Sequence, residues 1–452
     1  AAPILATPAS GVVTFTIDGV PVDRPVSAGI ATYTTSALAA GLHVVAAQYQ
    51  GDTRYPPSTD SGSVNIAKRT STLVLHSSEA PAQYGDALVY TATLDSPTVT
   101  GTVELTIDAG TPAEVTTSTS PVNGVATFGV AGLVLGDHQV TATYSGDSAF
   151  ETATTTIVQL MTVRPTLITV LSSRNPSIVG QPVTLTAQVS SPGSTLVPTG
   201  SVEFIISNSP NVAVHEVVPL DSGGVATLVT ANLSVGVHAV SVSYPNASPF
   251  AGSVGVLTQT VTRAPTAALL TTSRASSVWG QLVTFTAYLS PRSAQGAVDF
   301  LVDGKMVAHA VVNANGIATL SSSTLTVGAH TVLAKYAGSG LNAPATSPPL
   351  TQTVTQARSR VTLTSSLSSA QAGTMLRFTA VVAAASTGVG TPTGSVQFFV
   401  DGSFFGAAPL VHGRAGMLTS LLGRGRHTVQ AKYMGNPRTF LLSSSTITQR
   451  VM

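Results

Sequence analysis

The 452-residue sequence contains no cysteine. That excludes a disulfide framework and any thiolate metal site, and it leaves the redox compartment unreadable from bond chemistry. Charge is also scarce: Asp, Glu, Lys and Arg make up 9% of the chain, against about 25% in ordinary soluble proteins. The 20 basic residues are scattered and the formal net charge is +1, so the electrostatic footprint of nucleic-acid binding is missing. Aromatic residues amount to 5%, with a single tryptophan, Trp279. No run approaches the roughly 18 apolar residues of a membrane-crossing helix. Ala1 to Leu5 carry neither a charged leader nor a starting methionine, so the expectation is a processed chain or an excerpt of a longer one.

The chemistry of catalysis is thin as well. Nineteen carboxylates form no close pair suited to general acid and base work, and no Asp-rich loop is built for calcium. No nucleophile elbow, phosphate loop or dinucleotide fingerprint occurs in a strand-to-helix context. The expectation is a non-enzymatic protein with no catalytic, metal or cofactor site. Thr, Ser, Gly and Ala take the place of the missing charge. A surface of hydroxyl and methyl groups repels its own copies weakly and suits lateral packing or glycosylation.

What the sequence does have is repetition. The pattern Leu-x-x-Gly-x-His-x-Val-x-x-x-Tyr occurs five times, with about 95 residues between copies. Its histidines are His43, His138, His238, His330 and His427, and its tyrosines Tyr49, Tyr144, Tyr244, Tyr336 and Tyr433. Such a period marks a tandem array of small domains.

Within one unit, alternation of apolar and polar residues at period two recurs in short segments, clearest in the second copy at Leu88 to Leu94, Val103 to Ile107 and His138 to Tyr144. Gly or Pro punctuates nearly every interval. About seven strands in about 95 residues is the count of an immunoglobulin-like antiparallel β-sandwich. The fold class expected is therefore all-β, a semi-rigid rod of tandem sandwiches. Other copies match strand for strand: Ala92, Ala187, Ala287 and Ala380 fall at one step, Asp18-Gly19, Asp303-Gly304 and Asp401-Gly402 close one strand, and Gly-Val-Ala-Thr at Gly124 and Gly224 returns as Gly29-Ile30-Ala31-Thr32 and Gly316-Ile317-Ala318-Thr319. The spacing places the units at 1–68, 69–163, 164–262, 263–357 and 358–452. The first lacks its opening strand and most of the second, either because the chain is an excerpt or because a neighbouring subunit supplies them.

The run Gly-x-His-x-Val-x-Ala-x-Tyr-x-Gly-Asp, complete at Gly136 to Asp147, resembles the signature of the bacterial immunoglobulin-like repeats of long secreted and cell-surface proteins. That resemblance covers essentially the whole chain and implies an extracellular or cell-surface location in a stalk, adhesin, fibre or surface layer. The closing Gly-Asp becomes Pro245-Asn246, Gly338-Ser339 and Gly435-Asn436 in the last three copies, which argues against a ligand role for the aspartate.

Individual residues sharpen the expectation. Five histidines in five successive domains lie tens of ångströms apart and cannot converge on one metal; each is expected to bond nearby backbone, as the corner tyrosine does in related sandwiches. Arginines at the junctions, Arg69, Arg164, Arg263 and Arg358, are expected to bond carbonyls exposed where domains meet. Trp279 reads as a variable turn residue, with sugar stacking as the alternative. Asn232-Leu233-Ser234 and Asn246-Ala247-Ser248 fit the N-glycosylation pattern. Finally, the strand after each Gly-Thr/Ser/Ala opening sends Ile205, Leu301 and Phe399 outward where the first two copies use Thr16 and Thr106, and Phe404 and Phe405 follow one turn later. This second apolar face is a candidate interface for self-association into a filament or lateral array. The functional reading is an extracellular structural protein; the alternative is an adhesin or phage fibre whose loops recognise a glycan or a host surface protein.

Overall fold

A computed structural model describes residues 7–208 and 211–452, and among them there is no helix. The second repeat illustrates the plan. Its strands are β1 (Leu73–Ser77), β2 (Ala82–Gln83), β3 (Leu88–Leu94), β4 (Val103–Ile107), β5 (Val115–Thr119), β6 (Val125–Val130), β7 (Gly136–Tyr144) and β8 (Ala153–Thr162). One sheet has the order β6-β3-β1 and the other β2-β8-β7-β4-β5. All neighbours are antiparallel except β2, which lies parallel to β8. The first strand of the domain thus begins in one sheet and crosses to the other between Ser77 and Ala82.

Period two produces this arrangement directly. Along β3, Leu88, Tyr90, Ala92 and Leu94 are buried while Val89 and Thr93 are exposed. Val103, Leu105 and Ile107 on β4 and Val140, Ala142 and Tyr144 on β7 face them from the second sheet with essentially no exposure. The alanine that recurs at one step has a reason in register: Ala92 pairs with Ala126, Ala187 with Ala226, Ala287 with Ala318 and Ala380 with Ala415, all on neighbouring strands and all buried. Two small side chains side by side leave room for large ones elsewhere in the layer. The third, fourth and fifth repeats reproduce the two-sheet plan, each around its own apolar core.

Two glycines are fixed by space as well as by backbone. Gly101, before β4, has φ +90°, and a Cβ there would fall 2.6 Å from the Gly146 carbonyl oxygen. Gly124, before β6, has φ +78°, and its Cβ would stand 2.6 Å from the Ser96 carbonyl oxygen. Only glycine combines that φ with such close approach.

The first repeat departs from expectation. It forms one four-stranded sheet from Val20–Pro25, Val12–Ile17, Gly41–Tyr49 and Ser58–Ile66. Gly29-Ile30-Ala31-Thr32, expected as a strand, takes part only in an isolated bridge from Ile30 to Ser27. In the other repeats this run is held by the strand that carries the recurrent alanine; the matching residues here, Ala2 to Ile4, lie outside the described residues.

Candidate functional site

The histidine of each repeat sits at the start of the β7 strand, and its surroundings are more specific than nearby backbone alone. His138 Nδ1 lies 2.6 Å from Asp108 Oδ2, and its Nε2 2.8 Å from the Val134 carbonyl oxygen. The second carboxylate oxygen of Asp108 accepts the Gln139 N–H at 3.1 Å. The same clamp joins His43 to Asp18 and Ala39, His330 to Asp303 and Thr326, and His427 to Asp401 and Gly423. Asp18, Asp108, Asp303 and Asp401 all adopt positive φ, between 48° and 53°. Three of them are the aspartates of the Asp-Gly turns, so the turn that ends one strand aims its carboxylate at the start of another.

Both ring nitrogens face acceptors, so both must donate, and the imidazole is held as the cation. Burial works against that charge at His138, but the Val134 carbonyl and the Asp108 carboxylate outweigh it and raise its pKa above the usual 6.5. For His43 and His427 the aspartate bond is the leading cause of the same upward shift. The histidine bonds in turn hold Asp18, Asp303 and Asp401 below 3.8. The third repeat breaks the pattern. Its β4-equivalent strand runs on through Ser207 and Asn208 where the others turn at aspartate. His238 keeps the bond from Nε2 to Ser234 O at 2.7 Å, and its buried Nδ1 has no partner among the described residues.

The tyrosine closes the other end of the same strand. Tyr49, Tyr144, Tyr244, Tyr336 and Tyr433 donate to the carbonyls of Ser10, Thr100, Thr199, Gln295 and Thr393, each the residue before the glycine that opens the β4 strand. Burial, with the Asp147 carboxylate beside it, pushes the Tyr144 phenol up to about 12. Tyr433→Phe is expected to remove one such bond and cost the fifth repeat about 1.5 kcal/mol, measurable as a shift of its denaturant midpoint at unchanged slope.

Asp147 of the Gly-Asp pair accepts backbone N–H groups from Thr100, Ala149 and Phe150. Those bonds overcome its burial and hold its carboxyl well below 3.8. Asn246, Ser339 and Asn436 do similar work with Gly252, Asn342 and Arg438, which is why the aspartate is exchangeable.

One recurrent group escapes notice in the sequence. Directly across from His138, His238, His330 and His427 in the register stand Gln159, Gln259, Gln352 and Gln449, all essentially buried. Gln259 accepts from Ser172 Oγ at 2.6 Å and donates to the Arg174 carbonyl at 2.9 Å. In the third and fourth repeats the amide serves polar groups where the first strand changes sheets, Gln352 likewise accepting from Thr272 Oγ1 and donating to Ser277 Oγ. The run Leu-Thr-Gln-Thr-Val at the end of repeats was the available signal.

At the junctions, backbone bonds take the first residue of each unit straight into its own sandwich: Arg69 with Phe150, Arg164 with Phe250, Ala264 with Asn342 and Ala357 with Phe440. Ala357, placed by spacing at the end of the fourth unit, pairs with the fifth. Arg164 is buried, donates from Nε to the Tyr84 carbonyl at 2.7 Å and pairs with Asp86, binding the start of the third repeat to the second. Trp279 is not a free turn residue. Its ring meets Phe440 of the fifth repeat edge-on at 5.5 Å and covers Gly390, so part of its apolar surface is engaged within the chain.

Ile205, Leu301 and Phe399 lie on the outer face of the larger sheet of their repeats, each half-buried between buried neighbours on its strand. Leu301 pairs across with Met306 and Leu333, and Phe399 with Phe404, whose ring meets it edge-on at 5.8 Å. Phe404 remains 61% exposed and Phe405 37%. Ile205 has polar neighbours, His215 and Ser241, and His215 is paired with Glu203. Asn232 and Asn246 are exposed. Among the described residues no group of three His, Asp or Glu side chains could hold a metal ion, and no helix is long and apolar enough to cross a membrane.

Comparison with known families agrees with this architecture. The family described as bacterial Ig-like domain (group 3) matches at residues 2–67, 75–163, 169–262, 270–355 and 363–452. No curated protein matches the chain. Among solved structures, an ICAM-5 D1-D4 ectodomain fragment is 13% identical, with 84% of this chain and 100% of that one covered at a TM-score of 0.31. Escherichia coli alpha-2-macroglobulin activated by porcine elastase is 12% identical at a TM-score of 0.19, and this chain spans half its length.

Proposed function

We propose, from the premise that this chain belongs to the bacterial Ig-like domain (group 3) family, that it is a spacer rod of an extracellular fibre, stalk or surface layer. Tandem domains of this kind are the make-up of structural and adhesion-type surface proteins. The observation that supports the rod most directly is the junction chemistry: each repeat ends and the next begins within about two residues, with Arg164 and Trp279 reaching across. The recurrent His, Tyr, Gln and loop-Asp groups are engaged in holding strands together, which leaves architecture as their role. Negative-stain images of the purified chain are expected to show rods of uniform outline; compact particles would refute the reading.

Self-association belongs to the same proposal. The outer faces of the fourth and fifth repeats carry Leu301, Met306, Phe399 and Phe404 in adjacent register positions, and the low charge of the chain offers little to keep copies apart. Leu301→Thr with Phe399→Thr is expected to leave the melting curves within about 1 kcal/mol and to weaken assembly seen by sedimentation. Equal assembly by the double variant would assign association to another surface.

A further inference from the structure

An open groove of about 730 Å3 lies on the fourth repeat, over the outer face of its three-stranded sheet. Its floor is a cross-strand row in which Tyr288 lies between Leu269 and Ile317. Tyr288 is 43% exposed and Leu269 57%. Arg292, on the loop after the central strand, and Asn315, on the turn before the last strand, line it on either side, and no carboxylate does. Among the described residues the Tyr288 hydroxyl, the Arg292 guanidinium and the Asn315 carboxamide have no hydrogen-bond partner in the protein.

The supports of these groups are fixed. A Cβ on Gly316 would fall 2.8 Å from Arg292 Cα, so the two loops are in close contact. Asn313 Oδ1 accepts the N–H groups of Asn315 and Ile317, which sets the turn. The feature is confined to this repeat. Positions matching Tyr288 hold Thr93, Gln188 and Val381 in the second, third and fifth repeats. An aromatic ring on a shallow apolar floor, ringed by solvent-facing polar groups that no protein group engages, is the complement of a pyranose: C–H faces stack on the ring and hydroxyls meet the amide and phenol. A lone guanidinium with no acidic neighbour in the groove adds a fork for a carboxylate.

We propose that this groove of the fourth repeat binds an acidic saccharide, its sugar ring on Tyr288 and its carboxylate on Arg292. The site goes beyond the rod and does not depend on it, since the images above can succeed or fail independently of binding. Calorimetric titration of the full chain would use oligosaccharides of hyaluronan, polygalacturonate and sialyllactose, each beside its carboxyl-reduced counterpart. At least one acid is expected to bind with millimolar affinity or better, about tenfold more tightly than its reduced form. Arg292→Gln is expected to equalise the two, and Tyr288→Thr to weaken both by about tenfold with an unchanged circular dichroism spectrum. Failure of all three acids to saturate, full binding by Tyr288→Thr, or equal competition by polyglutamate would each overturn the proposal.

Discussion

His138→Ala is expected to lower the stability of the second repeat by about 3 kcal/mol, the cost of removing one partner of a buried, hydrogen-bonded ion pair. His138 is 4% exposed, and its loss leaves Asp108 Oδ2 and the Val134 carbonyl without their shared donor. For a domain of this size the melting temperature should fall by about 15 °C, measured on residues 69–163. The pH dependence carries the sharper signature. Because the folded state raises the pKa of His43, His138, His330 and His427, their contribution is complete below about pH 6.5 and is lost as pH rises through the raised values. Asp18, Asp303 and Asp401 are lowered, so their contribution is complete above about pH 3.8 and is lost only at greater acidity. Stability from the clamp is therefore greatest between those limits and declines toward alkaline pH. His138→Ala should remove that decline from residues 69–163; equal alkaline loss in the variant and the parent would contradict the assignment.

Trp279→Ala should uncouple the fourth and fifth repeats. The indole fills the space between Gly390 and Phe440, and losing it forfeits the edge-on aromatic contact together with its apolar burial, about 2–3 kcal/mol of coupling. In the native chain the two repeats should unfold together; in the variant their transitions should separate, and scattering should report a wider spread of shapes. Trp279 is the single tryptophan, so its emission reads this contact directly and should shift to the red when the fifth repeat unfolds. A variant with one joint transition would mean that the Gln356 bonds to Asn436 and Phe440 carry the coupling instead.

Much of this was legible in the residues because period two and glycine spacing are local signals. Val202, Phe204 and Ile206 alternate with Glu203 and Ile205, and that alternation alone states which side is buried. The histidine was legible as a corner residue bonded to backbone. Its aspartate was not, because Asp108 and His138 are 30 residues apart and only the pairing of β4 with β7 brings them together. The signal lay in co-occurrence: turn aspartate and histidine appear together in four repeats. The turn position of Trp279 was legible and its packing across the junction was not, for a different reason. A repeat examined singly offers no neighbour, so a residue that packs across a junction looks like an exposed one. Gln259 was passed over because polar residues are usually placed outside, and the crossing strand that needs an amide inside is a property of two sheets, not of one segment.

The crossing first strand has one more implication. Its second part, Ala82–Gln83, lies parallel to Met161–Thr162 at the end of the last strand, as do Ser177–Ile178 with Val261–Thr262, Ser276–Val278 with Thr353–Thr355 and Ser369–Ala370 with Arg450–Val451. The chain enters and leaves each of these four sandwiches through strands that point the same way. Tension applied along the array would pull those two strands past each other in shear, stretching their hydrogen bonds side by side so that they yield together instead of unzipping singly. Resistance to pulling is then set by the unfolding rate of each sandwich, and repeats that open under sudden tension would lengthen the chain while their neighbours stay folded.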